Sequence, residues 1–478
     1  MTNLQAIILA AGAGTRMKSE LPKVLHPICG RPMIAYALDL VGAAGVKQPI
    51  VVLGQGADAV KAVLPKEVRV AVQQKPLGTG DAVLSAKKYL TGTAGNILIL
   101  YADTPLLRRT TVQRMIESHG KHNATCTLLS AHLADPTGYG RIVRDEHGHV
   151  TGIIEEAEAN AAQKAIREIN IGPIVCKVQA LMDALATVNP AARTKELYLT
   201  HLVSFVSQME GAKLQVEKAQ EISEAMGINS RVELSRAITI IRQRIVDAHL
   251  RQSGVTIEDP QTTYIDQGVT IGHDTVIHPC TVIETGVSIG RRCEVGPFAH
   301  LRSGVAVGDD VKVGNYAELV RAKIGNRVRI GHVSYLGDAQ VDDDVNIGAG
   351  TITANYDGKD KHQTHIGKGA FIGSDTVLVA PVKIGAGGVT GAGCVVPKGQ
   401  DVPARGVVVG VPARALINGA SKSAHAAKAG LGAEGNGQKL VAPAIKMAKG
   451  AKSKAAKPVP AKRAAKKRPA ARAKAKKK

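Results

Sequence analysis

Two clusters in the sequence combine residue types and spacings that can do chemistry. The first is Leu9-Ala10-Ala11-Gly12-Ala13-Gly14-Thr15-Arg16-Met17, followed by Leu21-Pro22-Lys23. Glycines let the backbone approach a ligand closely, and free N–H groups can cradle phosphate. Arg16 and Lys23 add two cations, which suits a triphosphate. The third glycine of a dinucleotide fingerprint is missing, as is the G-K-[ST] of a P-loop. Asp103 closes the apolar run Leu98-Ile99-Leu100-Tyr101-Ala102. A carboxylate at the C-terminal end of a parallel strand lies where α/β ligands bind, and oxygen ligands suit Mg²⁺. Taken alone, Asp103 could equally cap a helix.

The second cluster is Gly331-His332-Val333-Ser334-Tyr335-Leu336-Gly337-Asp338, with Asn346 and Asn355-Tyr356-Asp357-Gly358 after it. A histidine titrating near neutrality can take the proton that an amine must lose to attack a thioester. A lone histidine in a repeat is more often structural, so this reading leans on the residues around it.

The elements that must position these groups differ between the two halves. In the first 230 residues, apolar runs at Ala6 to Ala10, Ile50 to Leu53, Val68 to Val72 and Ile97 to Tyr101 alternate with amphipathic stretches such as Met33 to Ala44. That alternation predicts an α/β domain with a mainly parallel sheet. Leu234, Ile238, Ile241, Ile245 and Ala248 recur at three or four, which predicts a connecting helix over 231–253.

From Ile265 a period of six sets in through Ile271, Ile277, Ile283 and onward to Leu319. It slips by one before Ile324 and again before Val341, breaks between Thr353 and Ile366, and resumes to Val396. A hexapeptide period is the signature of a parallel β-helix, and the 22 repeats read this way give about seven coils. The boundaries expected are 1–230 for the α/β domain, 231–253 for the helix, 254–419 for the repeats and 420–478 for a basic tail.

The formal charge is +22, but residues 441–478 hold 15 Lys or Arg and no acid, so the rest of the chain carries 22 − 15 = +7. The tail cannot bury enough apolar surface to offset its ordering entropy and reads as disordered. Two readings of it stay open: a solvated tail without a partner, or one that binds polyanions non-specifically with a steep salt dependence. The remainder lacks the interleaved basic and aromatic residues of a base-stacking surface. Six scattered cysteines with no C-x-x-C pair predict neither a zinc site nor a redox motif and fit a cytoplasmic protein. No run is long and apolar enough for a membrane span.

L-x-x-G-x-G-T-R-M with L-P-K downstream resembles the nucleotidyltransferases that activate sugar 1-phosphates. Add Gln73 with Leu77-Gly78-Thr79-Gly80, Asp135 to Arg141, Glu155, Asn170, Asn229 and the His332 cluster. The ordered set over roughly residues 4 to 400 then resembles the bifunctional GlmU family of uridyltransferase–acetyltransferases, which serves bacterial cell-envelope precursor synthesis. The resemblance implies a Rossmann-like uridyltransferase domain followed by a left-handed parallel β-helix, assembled as a homotrimer. Its implied substrates are UTP, N-acetylglucosamine 1-phosphate, glucosamine 1-phosphate and acetyl-CoA.

By the same resemblance, Leu9, Gly12, Arg16 and Lys23 contact the nucleotide, and Gln73, Gly78 and Thr79 read uracil. Gly140, Glu155, Asn170 and Asn229 bind the substrate, with Asp103 and Asn229 holding Mg²⁺. His332 is the implied general base of acetylation. Arg302, Tyr335 and Asn346 would bind the sugar phosphate, and Asn355, Tyr356, Ser374 and Ala392 acetyl-CoA.

Four positions depart from the family pattern. Ala102 replaces a glycine, and His201 stands where an aspartate is usual. Val320 takes the place of a phosphate-binding lysine, with Arg321 next to it, and Gly410 that of a late CoA-binding arginine. Two readings of the second half therefore stay open: an active acetyltransferase, or a trimerising scaffold attached to a uridyltransferase.

Overall fold

The structure is a computed structural model that describes residues 4–416, apart from 55, 91, 93, 94, 188, 189 and 192. The basic tail expected over 420–478 lies outside the described residues.

The α/β part is built on a mainly parallel sheet with Leu4–Ala10 near its centre. Its strands run in the order Leu214–Lys218, Cys126–His132, Glu168–Lys177, Asn96–Tyr101, Leu4–Ala10, Ile50–Gly54 and Arg69–Gln73. The near-continuous apolar runs are those of strands covered on both faces, and Ile7, Ile8, Ile50, Val51, Ile97 and Leu98 are fully buried. The Met33–Ala43 helix closes one face with Met33, Ile34, Ala37, Leu40 and Val41, a spacing of three and four. Glu168–Lys177 runs antiparallel to both neighbours and is irregular between Asn170 and Ile174. Register sets Leu9 beside Tyr101 and Gly54 beside Gln73. The loops leaving these parallel strands therefore meet at one edge.

The Arg231–Gln252 helix starts at a capping box: the Ser230 side chain accepts from Glu233 N–H, and the Glu233 carboxylate accepts from Ser230 N–H. It is more than a connecting arm. Leu234, Ala237 and Ile241 pack with Met17, Ile28, Met33 and Leu106, while Val246 joins the core of the repeats.

Beyond it, the chain winds into a parallel β-helix of hexapeptide repeats, the left-handed fold expected. Among the described residues its strands stack into three faces. The first runs from Thr256–Ile257 to Val407–Val409, the second from Tyr264–Ile265 to Val395–Val396, and the third from Thr270–Ile271 to Val382–Ile384. Inward residues sit in register from coil to coil, as in Ile283, Leu301, Leu319 and Leu336. Ile257, Val402 and Val408 are also buried inward positions, so the stack reaches eight coils and the start of a ninth rather than about seven. The Arg414–Ala415 strand then turns back antiparallel onto Val407–Val409, and Ala413 N–H donates to the Val395 carbonyl.

The corner between the first and second faces is a column of glycines: Gly296, Gly314, Gly331, Gly348, Gly373 and Gly391. A Cβ on Gly314 would lie 1.8 Å from the Gly331 carbonyl oxygen, whereas one on Gly331 would meet nothing within 4 Å. Gly314→Ala is expected to destabilise the β-helix by at least about 1–3 kcal/mol, the usual cost of overpacking. Gly331→Ala should unfold close to the parent in the same urea titration.

Candidate active sites

The glycine turn and Lys23 shape each other. Gly14 adopts φ 63°, and a Cβ there would lie 2.8 Å from Lys23 Cβ, so only glycine lets the lysine pass beneath the turn. Met17 is buried and pins the turn, while Arg16 stays exposed. The Lys23 side chain is only 8% exposed, and its Nζ lies 2.5 Å from Asp103 Oδ2. The same Nζ donates to Asn229 Oδ1 at 3.1 Å. Asp103 leaves the end of the Asn96–Tyr101 strand, and its carbonyl accepts from Ile228 N–H. Asn229 N–H donates to Glu233 Oε2 at 2.6 Å, so the helix cap fixes the asparagine. Residues 206 positions apart are thus brought onto one ammonium.

Beside this cluster is a cavity of roughly 280 Å³ whose lining includes Leu9, Gly12, Lys23, Gln73, Gly78, Thr79 and Asp103, together with Tyr101 and Glu196. Gln73 is buried, and its Nε2 donates to the Gly78 carbonyl and to Asp81 Oδ2, which orients the amide. Gly78 has φ 107°, and a Cβ would lie 2.5 Å from the Leu197 carbonyl oxygen. Thr79 Oγ1 accepts from Leu199 N–H.

Gly140, Glu155 and Asn170 gather beyond Tyr101. Asn170 N–H donates to the Gly140 carbonyl, and Thr200 donates to Glu155 Oε1 at 2.8 Å. Burial raises the Glu155 carboxyl pKa. The Tyr101 hydroxyl is also pushed up, by burial first and then by Glu155 and Asp103. Gly172, at φ 120°, lies against the Tyr101 ring. Ala102 is accommodated: it is buried, with its N–H donating to the Leu9 carbonyl. His201 stands edge-on to Tyr198 with ring centroids 5.9 Å apart, and burial lowers its pKa.

In the β-helix, His332 follows Gly331 in the glycine column. Its Nδ1 lies 2.6 Å from Asn315 Oδ1, one coil below. A carbonyl oxygen can only accept, so with the amide placed this way Nδ1 is the donor, and in the neutral ring the lone pair is on Nε2. A hollow of roughly 350 Å³ beside it is lined by His278, Phe298, Lys312, Asn315, Tyr316 and His332. Ser374 and Ala392 follow Gly373 and Gly391 in the same column, and Gly410 comes next, by the Val408 register.

Other expected residues lie elsewhere on the prism. Arg302 follows inward Leu301 at the far corner of the second face, 3.2 Å from Glu318 and 3.7 Å from Glu284. Tyr335 stands on the outside of that face beside Glu318. Asn346 opens a strand of the first face, between Arg329 and Phe371. Asn355 is buried at the far corner and donates to Asp338 Oδ2 at 2.5 Å. Asp338 also receives both arms of Arg321, at 2.6 and 2.8 Å, and this hydrogen-bonded pairing lowers its pKa. Val320 is 4% exposed. Tyr356 is exposed on the excursion that interrupts the period, where the Asp357 carboxylate accepts from Lys359 N–H, Asp360 N–H and His362.

One chain therefore gathers Leu9, Gly12, Lys23, Gln73, Gly78, Thr79 and Asp103 around one cavity, whereas Arg16 is exposed outside its lining, and the residues expected of the second site are distributed over separate corners of the prism. Sequence reasoning missed Asp81, Thr200 and Asn315. Asn315 carried a readable signal, because Gly314-Asn315 repeats Gly331-His332 at 17 residues, one coil apart.

Comparison with known proteins matches each half of the chain to a family. The MobA-like NTP transferase domain family matches residues 6–171, and the bacterial transferase hexapeptide family matches residues 286–321. The chain is 41% identical over 436 residues to the bifunctional protein GlmU of Brevibacillus brevis, covering 84% of this chain and 94% of the relative. It is 40% identical to that of Shouchella clausii, covering 86% and 96%, and 42% identical to that of Heliobacterium modesticaldum, covering 84% and 94%. With two halves that each resemble one half-reaction, and with this identity along nearly the whole length of its relatives, the chain belongs to the bifunctional GlmU family, the uridyltransferase–acetyltransferases of UDP-N-acetylglucosamine synthesis.

Proposed function

We propose that uridylyl transfer runs in the cavity beside Lys23 and that N-acetylation runs along the His332 corner. The convergence of Asp103 and Asn229 oxygens on the Lys23 ammonium carries the first assignment. Two oxygens already arranged around a positive charge fit Mg²⁺, which uses few protein ligands and completes its shell with phosphate and water. When bound, Mg²⁺ supplies charge neutralisation at the phosphates.

In the transfer, a phosphate oxygen of N-acetylglucosamine 1-phosphate bonds to the α-phosphorus of UTP as the bond to pyrophosphate breaks. The nucleophile is already an anion, so no general base is needed. Lys23 and Arg16 stabilise the departing pyrophosphate, Gln73, Gly78 and Thr79 hold uracil, and Gly140, Glu155 and Asn170 hold the sugar.

In acetylation, the amine of glucosamine 1-phosphate attacks the thioester of acetyl-CoA. His332 Nε2 takes the amine proton as CoA leaves. Arg302, Tyr335 and Asn346 serve the sugar phosphate, and Asn355, Tyr356, Ser374 and Ala392 serve acetyl-CoA. Their spread over several corners of one prism supports a homotrimer in which neighbouring chains complete each site. We place these activities in segments 1–230 and 254–419, joined by 231–253, in the cytoplasm, and leave polyanion binding to the tail. Among the described residues, no helix is long and apolar enough to cross a membrane.

One assay tests both assignments: UTP, Mg²⁺, acetyl-CoA and glucosamine 1-phosphate, with UDP-sugar and free CoA followed together. Val320 bears on the second. It is buried where a phosphate-binding cation is usual, and Arg321 is committed to Asp338. Val320→Lys is expected to lower the KM for glucosamine 1-phosphate, since a charge-assisted hydrogen bond contributes about 1.5–3 kcal/mol. If the parent released no CoA and Val320→Lys did, the β-helix would be the scaffold alone.

A further inference from the structure

The structure assigns to Arg231 a positioning role in uridylyl transfer: its guanidinium fixes the glycine turn and the Lys23 loop to the end of the helix that presents Asn229. Its Nε donates to the Met17 carbonyl at 3.2 Å, and its Nη1 donates to His26 Nδ1 at 3.2 Å. Met17 immediately follows Arg16, and His26 ends the short helical turn that begins at Lys23. Arg231 itself is the first residue of the Arg231–Gln252 helix, two places after Asn229. Two neighbouring segments, carrying Arg16 and Lys23, are thus tied through one planar cation to the helix start that carries Asn229, more than 200 residues further along the chain.

The arrangement is rigid where it needs to be. His26 is 2% exposed, so its ring has little room to turn, and its backbone carbonyl accepts from Met33 N–H. Burial, and then the Arg231 charge, lower the His26 pKa, and a ring nitrogen facing a guanidinium N–H can only accept. A guanidinium presents several donors in a fixed fork, and a lysine cannot satisfy two acceptors in that geometry. Arg231 does not line the cavity, so it acts through the residues it holds.

The inference rests on the proposed uridyltransferase site, and the experiment separates the two. With the full-length chain, pyrophosphate release is measured against UTP, N-acetylglucosamine 1-phosphate and Mg²⁺, and CoA release is measured in parallel. For Arg231→Ala we expect kcat for pyrophosphate release to fall on the order of 10²-fold, as misplacement of reacting groups by about 1 Å can do. The Mg²⁺ needed for half-maximal rate should rise, while the KM for N-acetylglucosamine 1-phosphate and CoA release stay at parent values. Arg231→Lys should recover only part of the loss.

His26→Leu removes one acceptor and keeps Arg231, so it carries the test if Arg231→Ala does not fold. It should show the same pattern more weakly, and the double variant should lose less than the two single losses combined. Parent-like pyrophosphate release in Arg231→Ala and His26→Leu would overturn the assignment, as would a loss that raises the sugar KM and lowers CoA release together. Absence of pyrophosphate release from the parent chain would instead overturn the uridyltransferase site itself.

Discussion

Asp103→Ala is expected to stop UDP-sugar and pyrophosphate formation while CoA release from the same chain continues. Asp103 supplies the only carboxylate among the described residues bonded to Lys23 Nζ, and it stands at the strand end that faces the cavity. Removing one preorganised electrostatic group from a transition state costs about 10²–10³-fold. The loss here should be at least that, because the variant also leaves Lys23, itself 8% exposed, without its charged partner. An unpaired buried charge costs about 3–5 kcal/mol of stability, so folding must be checked. The second activity provides that check within the same polypeptide. Asp103→Asn, which keeps the shape and one oxygen, should lose less. Near-parental UDP-sugar formation by Asp103→Ala would remove Asp103 from the site.

The second large effect is the converse. His332→Ala should cut CoA release by about 10²- to 10⁴-fold, the usual contribution of a general base, and leave pyrophosphate release unaltered. The expectation rests on the ring's orientation: Asn315 Oδ1 accepts from Nδ1 at 2.6 Å, which directs the lone pair of Nε2 away from the coil below. The side chain is exposed and does not fill the core, so truncation should leave the unfolding transition in place. Unchanged CoA release would mean that another group accepts the amine proton.

Much of the fold was legible in the sequence because it is repetitive or locally patterned. Every sixth residue must point into the prism, and the one-residue slips at Ile324 and Val341 stayed visible because inward positions tolerate only small deviations. At the first missed position Asp259-Pro260 lengthens the step from Ile257 to Ile265, whereas at the far end Val402 and Val408 keep the six-residue spacing of Val396, with Pro397 and Pro403 directly after inward positions. In the sheet, Leu4–Ala10 and Asn96–Tyr101 were readable as apolar runs. The antiparallel strand Glu168–Lys177 was not, since direction leaves no mark in composition.

At the first site, Lys23, Gln73 and Asp103 lie in motifs or at strand ends. Arg231 and Thr200 act through partners distant in sequence, so nothing short-range announces them. At the second site, the position of Arg321 turned on backbone conformation. It takes φ 48° at the corner, which sends its side chain along the edge to Asp338 instead of across the face.

A stack of coils has a growth problem that a closed domain lacks. Each end presents a rim of unpaired backbone donors and acceptors, an open template on which another copy can lengthen the solenoid. Here the lower rim meets the Arg231–Gln252 helix, whose Val246 plugs the apolar bore. At the upper rim, Val402 pairs with Ile384, Ala413 with Val395, and Arg414–Ala415 folds back antiparallel over Val407–Val409. A strand of reversed direction cannot serve as the next rung of a parallel ladder. The chain thus writes its own terminator, and its length is set by the stoppers at both ends and not by the number of repeats the pattern could support.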